Sequence, residues 1–208
     1  MAQTRVEQKE RTRRAILDAA LTLSDGSALV ALSLRQVAKQ VGIVPTAFYR
    51  HFPSIEALGL ALVEESLDTL RSLLRELRRT AGTNAAEIID GSVAVLVDQV
   101  RRDHPHYRFI ARERFAGPAG VRDAIERGIE LAQRELATDL AHLPGTEPWT
   151  DRDLQILSEL IVGAMVTTAE RLLGTDPGSP AEQRIADTAR TQLRMLLVGA
   201  QRWRSRTT

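Results

Sequence analysis

The chain has 208 residues, enough for one large hydrophobic core or two small ones. It has no cysteine, which excludes a disulfide framework and a thiolate metal site, and no apolar run of about 18 residues that would span a membrane as a helix. The net charge of +1 is unevenly divided, with eight Lys/Arg against four Asp/Glu in residues 1–54 and 20 against 23 in the remainder. That concentration favours a polyanion partner for the N-terminal quarter and argues against a protein that coats nucleic acid along its whole length. The basic N-terminus lacks the apolar stretch of a signal peptide, so a soluble cytoplasmic protein is expected.

The first helix is predicted over Glu7–Ser24. Arg5, Lys9, Arg11, Arg13 and Arg14 cluster around its start and the arm before it. A basic arm is suited to the DNA backbone or the minor groove; a frayed, solvated terminus explains the composition equally well.

The segment Leu32–Phe52 reads as two short helices joined by a glycine turn. At about 100° per residue, Leu34, Val37, Ala38 and Val41 share one face of the first. Arg35, Gln36, Lys39 and Gln40 share the other. Ser33 and Gln36 have capping-box spacing, Gly42 supplies the stop, and Pro45 suits the first turn of the second helix. In that second helix Phe48 and Phe52 point toward a core. Thr46, Ala47 and Arg50 point away, with Tyr49 and His51 on the flanks.

This is the arrangement of a DNA-reading helix-turn-helix. Thr46 and Ala47 are small enough for close approach and suit a thymine methyl, while Arg50 suits guanine or phosphate. Tyr49 and His51 on the flanks, and Arg35 and Lys39 on the first helix, suit phosphates and set register rather than sequence. The candidate DNA-contacting set is Arg13, Ser33, Arg35, Gln36, Lys39, Val44, Pro45, Thr46, Ala47, Tyr49, Arg50 and His51. From spacing alone, an ordinary helical hairpin with a solvated polar face fits as well.

The rest of the chain reads as further helices, without strand alternation. Ser54 caps a long helix over Ile55–Thr80, with Glu64 and Glu65 on a solvated face. Thr83 and Asn84 open the next, which carries an Asn84–Glu87 box and runs to about Arg102. His104-Pro105-His106 breaks it, and a short helix follows through Glu113. Gly117-Pro118 starts another that runs to about His142, and residues 143–148 form a loop. Thr150 and Asp153 cap a penultimate helix, with Trp149 placed to staple onto Leu154. Its apolar residues surround nearly the whole circumference, and a helix apolar all round must be buried all round. Residues 174–180 form the loop to the last helix. That helix opens on a Ser179–Glu182 box and carries an apolar stripe about 120° wide. Covering the penultimate helix by its own core on one side and a second chain on the other predicts a two-fold dimer. Its core is a four-helix bundle of Leu157, Leu160, Ile161, Ala164, Leu193, Leu196, Leu197, Ala200 and Trp203. The alternative is a monomer with an internal helix pair.

Ser33-Leu34-Arg35-x-Val37-Ala38, Val41-Gly42-Ile43 and Phe48-Tyr49-Arg50-His51-Phe52-x-Ser54 resemble the DNA-binding signature of TetR-type repressors. Arg13–Ala20 resembles that family's first helix, and the likeness covers roughly residues 8–80. Two positions depart from the pattern. Gly26 is followed by Ser27-Ala28-Leu29-Val30 where the family usually has an aromatic. Ile55 replaces a common lysine, which removes one phosphate contact and leaves more of it to Tyr49 and His51. The run from Gly42 through Phe52 and on to Ser66 is similar to a narrower group, the TetR-type repressors of unsaturated fatty-acid synthesis and desaturation.

The resemblance implies an all-α fold of about nine helices. Residues 1–53 would form a three-helix helix-turn-helix DNA-binding head, and 54–208 a larger effector-binding and dimerisation bundle, with 54–80 as the connecting helix. It implies a homodimeric repressor on a near-palindromic double-stranded DNA operator. The narrower likeness implies an effector such as a long-chain acyl-CoA or acyl-carrier-protein thioester. The competing effector class is a hydrophobic drug or metabolite controlling an efflux or catabolic gene. An acyl ligand needs a long apolar tunnel with a polar mouth. Val97, Tyr107, Phe109, Ile110, Phe115, Ile161 and Met165 are candidates to line it, with core packing as the plain alternative. A structural DNA-associated protein without effector is the remaining reading. His104 and His106 lack the further carboxylate or cysteine ligands of a metal site. No phosphate-binding glycine loop, metalloprotease helix or nucleophile elbow is present, so no enzyme, cofactor or metal is expected.

Overall fold

The computed structural model describes residues 5–81, 84–143, 146 and 149–205. Among them the chain is all-helical: α1 (Arg5–Leu23), α2 (Leu34–Val41), α3 (Pro45–Phe48), α4 (Ile55–Ala81), α5 (Ala85–Arg102), α6 (His104–Ala116), α7 (Ala119–Leu140), α8 (Asp151–Leu173) and α9 (Pro180–Gln201). A single 3₁₀ turn, Leu29–Ala31, precedes α2. Thr83, and Pro144, Gly145, Glu147 and Pro148 of the expected loop, lie outside the described residues.

Most helix boundaries fall within two residues of the expected ones, because their caps are local. Ser179 accepts from the Glu182 N–H, Thr150 from the Asp153 N–H and Asn84 from the Glu87 N–H. Two elements differ. The break before α6 is one residue, Asp103, and α6 starts at His104 with Pro105 in its first turn. A proline there gives up an N–H that has no helical partner anyway. The second helix of the helix-turn-helix was expected through Phe52, but its α-helical part ends at Phe48.

The chain divides into two compact units, Met1–Ser66 with Pro105–Glu126, and Leu67–His104 with Arg127–Thr208. This line differs from the functional division expected at residue 53. The first half of α4 and most of α6 pack with the N-terminal helices, because the head needs their apolar faces to close its core.

In the first unit, Ile16, Leu29, Val37, Phe48, Leu58, Leu62, Phe109, Val121 and Ile125 are at most 1% exposed. Gly59 is a packing glycine, since a Cβ there would overlap the Leu29 side chain and press on Val121. Arg14 pairs with Glu65, so that glutamate ties α1 to α4 rather than lying on a purely solvated face. Glu113 is fully buried, and its Oε1 accepts from the Leu29 N–H at 2.9 Å. Burial pushes its carboxyl up, against the opposing pull of that N–H and of Arg112.

In the second unit, α5, α8 and α9 pack on one another. Ile89, Val93, Ala186, Ala189 and Leu193 form the core, with Val97, Ile161, Ala164, Met165, Leu196 and Leu197 against it. Ion pairs line two seams: Arg71 and Arg75 to Glu135 and Arg78 to Asp139 between α4 and α7, and Arg101 to Glu182 between α5 and α9. The C-terminal segment folds onto the start of α8, where Ser205 donates to Asp153 and accepts from the Thr150 N–H.

Candidate nucleic-acid interface

The interface is built on α2, the turn after it, and α3. Ser33 accepts from the Gln36 N–H at 3.2 Å, and the Ser33 N–H donates to Gln36 Oε1 at 2.9 Å. These reciprocal bonds satisfy two donors that a helix start otherwise leaves open. They also engage Ser33 and Gln36 in the cap. At the other end Gly42 adopts φ 75°, ψ 29°. Its N–H donates to Lys39 O, and the Ile43 N–H donates to Ala38 O at 3.0 Å. This is a Schellman closure, and its left-handed residue strongly favours glycine. The chain then turns through Val44 into Pro45 at the first position of α3.

Past Phe48 the backbone tightens. The Arg50 and His51 N–H groups donate to the carbonyls three residues back, Ala47 O and Phe48 O, before Phe52 returns to the four-residue spacing. A tighter turn advances each residue further than 100°. The turn departs from α-helical spacing there, yet Arg50 is still exposed, His51 half-buried and Phe52 buried, as the face count from Pro45 expects.

Phe48 and Phe52 are 0% and 2% exposed, with ring centroids 6.0 Å apart. They press α3 onto the core and leave the opposite surface free. There Arg35, Lys39, Pro45, Thr46 and Arg50 are exposed, and Ala47 is half-buried. Val44 and Tyr49 are 63% and 59% exposed. The Tyr49 ring sits edge-on to Phe48 at 6.2 Å, which fixes its direction.

Arg13, expected as a DNA contact, lies with its guanidinium 4.4 Å from the Phe52 ring centroid. The stacking holds α1 against the end of the motif. Lys9 and Arg13 both lie close enough to His51 to affect its titration. Burial first, then Lys9 and Arg13, push the His51 imidazole below its ordinary value, with Glu10 opposing. His51 Nδ1 is buried and has no hydrogen-bond partner. Lys9 is a cation near the motif that the candidate set lacked. Its spacing of four from Arg13 puts both on one side of α1, and that was the available signal.

The other candidate sites fare unevenly. Phe115 is 73% exposed, with Arg114 over its ring, so it cannot line an enclosed apolar tunnel. Tyr107 and Phe109 are buried and Ile110 half-buried within the first unit. Val97, Ile161 and Met165 pack on the core of the second. Of the expected dimer residues, Leu193 is only 5% exposed and belongs to the chain's own core, where Ile161, Ala164, Leu196 and Leu197 pack against it. Leu157 and Ala200 are half-buried, Leu160 is 52% exposed and Trp203 is exposed. Ile156, Met195 and Val198, which the expected set omitted, are exposed apolar residues of α8 and α9. Among the described residues no cluster of His, Asp or Glu is placed to hold a metal, and no helix is long and apolar enough to cross a membrane.

Residues 16–62 match the family described as bacterial regulatory proteins, tetR family, and residues 85–199 match the tetracyclin repressor-like C-terminal domain. Solved structures share the fold at low identity. A transcriptional regulator from Aquifex aeolicus VF5 is 20% identical, with a TM-score of 0.67, covering 89% of this chain and 99% of its own. The fatty acid degradation regulator FadR from Bacillus halodurans is 16% identical, with a TM-score of 0.72, covering 90% and 95%. A TetR-like transcriptional regulator from Rhodococcus sp. RHA1 is 18% identical, with a TM-score of 0.64, covering 90% and 96%. The second match spans more than half of the chain and the first covers the helix-turn-helix, so this chain belongs to the TetR family of DNA-binding transcriptional regulators, a family of regulators rather than of enzymes.

Proposed function

We propose that this regulator is a dimeric repressor that reads a near-palindromic operator with Thr46 and Ala47 and grips phosphate with Arg35, Lys39, Tyr49, His51 and Arg13. The observation that carries the reading is the α3 surface itself. Two buried Phe rings anchor it, while small side chains are flanked by an exposed Tyr and cations. Arg50 sits on the tightened turn and serves phosphate or a base edge at the rim. The test starts from a duplex selected by the wild-type chain out of a random pool. Tyr49→Ala should weaken binding to the selected and a scrambled duplex alike. Thr46→Ala and Ala47→Ser should instead change which bases are preferred, at about 1–3 kcal/mol for a base pair read directly. Equal loss on every duplex from all three variants would refute the division of roles.

The dimeric part rests on α8 and α9. Leu160, in the middle of α8, is half exposed and shares a side of the helix with the exposed Ile156 one turn before, while Leu154, Ser158, Thr168 and Leu172 are the residues of this helix that the chain buries. A second copy is the partner that completes it, and two heads then meet successive major grooves.

For the effector, the reading is a long-chain acyl thioester held by apolar residues of the C-terminal bundle, Val97, Ile161 and Met165 among them. It is supported by the Val44-Pro45-Thr46 likeness to fatty-acid repressors and by the fold shared with a fatty acid degradation regulator. Ligand binding shifts the population between operator-fitting and non-fitting states in proportion to its differential affinity. Gel shifts on the selected duplex with saturated and unsaturated acyl-CoA, and with CoA alone, are expected to show a change with the acyl forms only. No response to any acyl-CoA would reject the lipid effector, leave the repressor intact, and favour a hydrophobic drug or metabolite.

A further inference from the structure

Between α1 and α2 the chain runs through Ser24–Leu32, and α6 grips this connector at three places. Arg108 pairs with Asp25 at 2.8 Å. The Arg112 guanidinium donates to Ser24 O and to Ser27 O. Glu113 Oε1 takes the Leu29 N–H. Leu29 opens the 3₁₀ turn, and that turn leads through Leu32 directly into Ser33, the cap of α2. The position of α2, and of α3 after it, is therefore set at one end by what holds Leu29.

Glu113 is an odd choice for a merely structural post. It is fully buried, its Oε2 has no partner, and Gly117 leaves room for it: a Cβ there would lie 2.9 Å from that oxygen. A half-satisfied buried carboxyl is costly, and an amide would accept the same N–H without a charge. The three contacts are also directional, so they define where the connector sits more sharply than apolar packing would.

We propose that Glu113, with Arg112 and Arg108, forms a clasp on α6 that positions the operator-reading helices. The clasp acts through the α1–α2 connector and touches no DNA. It follows that loss of the clasp costs discrimination rather than attraction. Phosphate attraction depends on Arg13 of α1, Arg35 and Lys39 of α2 and Arg50 after α3, charges that the clasp variants keep, whereas base reading needs α3 in register.

The experiment compares E113Q and E113L on two probes, a duplex selected by the wild-type chain and a scrambled duplex of equal length. Circular dichroism confirms the folded fraction at the assay temperature. E113Q keeps an acceptor for the Leu29 N–H and is expected to hold operator affinity within about threefold. E113L removes the acceptor from a buried donor and is expected to lower operator affinity about tenfold or more, with scrambled-duplex affinity changed less than about twofold. Hydrogen exchange at the Leu29 amide should speed up in E113L and not in E113Q. Should E113L fail to fold, Arg112→Gln, which alters the grip on Ser24 and Ser27, is read on the same two probes and should narrow the operator-to-scrambled ratio. A folded E113L that keeps its operator affinity, or equal losses on both probes, overturns the clasp. So does an unchanged ratio in Arg112→Gln where that variant is the one read. The DNA-reading assignment of α3 is tested separately by the wild-type chain's preference for its selected duplex, so the two can fail independently.

Discussion

Phe48→Ala is expected to destabilise the protein by about 3–5 kcal/mol, the largest single-residue effect in the DNA-binding head. Phe48 is 0% exposed, lies 6.0 Å from the Phe52 ring and has Tyr49 edge-on against it. Truncation removes the transfer free energy of the ring and leaves a cavity between elements too short to collapse into it. The α3 helix has only four residues and no hydrogen-bonding reserve of its own, so packing must hold it. Against a typical total of about 5–15 kcal/mol, the loss is a large share. Urea unfolding followed by circular dichroism gives the number, and Phe48→Leu, which keeps most of the volume, should cost less than half as much. A Phe48→Ala cost below about 1 kcal/mol would mean that the Phe pair does not anchor the recognition helix. The variant should also lose affinity for selected and scrambled duplexes together, because Thr46 and Ala47 that read and Tyr49 and His51 that grip all ride on this segment.

Leu160→Arg should convert the protein to monomers and lower operator affinity by about 10²–10⁴ at fixed chain concentration. Leu160 is 52% exposed within the chain, so an arginine there has room and the helix content should not change. At a two-fold interface the same change is made twice, and each cation must be buried or pushed out. The affinity falls because the second head no longer binds at the high effective concentration set by the first. Sedimentation of the two proteins, together with gel shifts on full and half operators, separates the effects. Half-site affinity should be unchanged, while the gain from full over half site should vanish. A Leu160→Arg protein that stays dimeric would remove α8 from the interface.

These two positions also show what could be read from the chain. Phe48 and Phe52 were legible because a one-turn spacing of aromatics between polar residues has one physical solution, burial of that side. The caps at Ser33, Asn84, Thr150 and Ser179 were legible because a cap involves residues only three apart. The end of the second helix was not legible, because Arg50 and His51 lie on a tightened turn past Phe48, although their exposure is as expected. The reading went wrong where burial is collective. Leu193 and Leu160 look alike in sequence, yet one is inside the chain's own core and the other faces out. Phe115 looked like a lining residue from its neighbours, but its direction on α6 sends it to solvent.

What the sequence determined alone is whatever is settled within about two helical turns: the helices and their ends, the glycine closure at Gly42, the amphipathic faces of α2 and the start of α3, the concentration of charge in the head, and with these the family. Tertiary structure decided everything that depends on partners far apart in the chain. It placed α6 and the first half of α4 with the head, stacked Arg13 on Phe52, paired Arg14 with Glu65, and buried Glu113 against Leu29, 84 residues away. The reason is one of range. Capping and periodicity are carried by backbone hydrogen bonds between near neighbours, while desolvation and side-chain pairing depend on which distant surfaces meet.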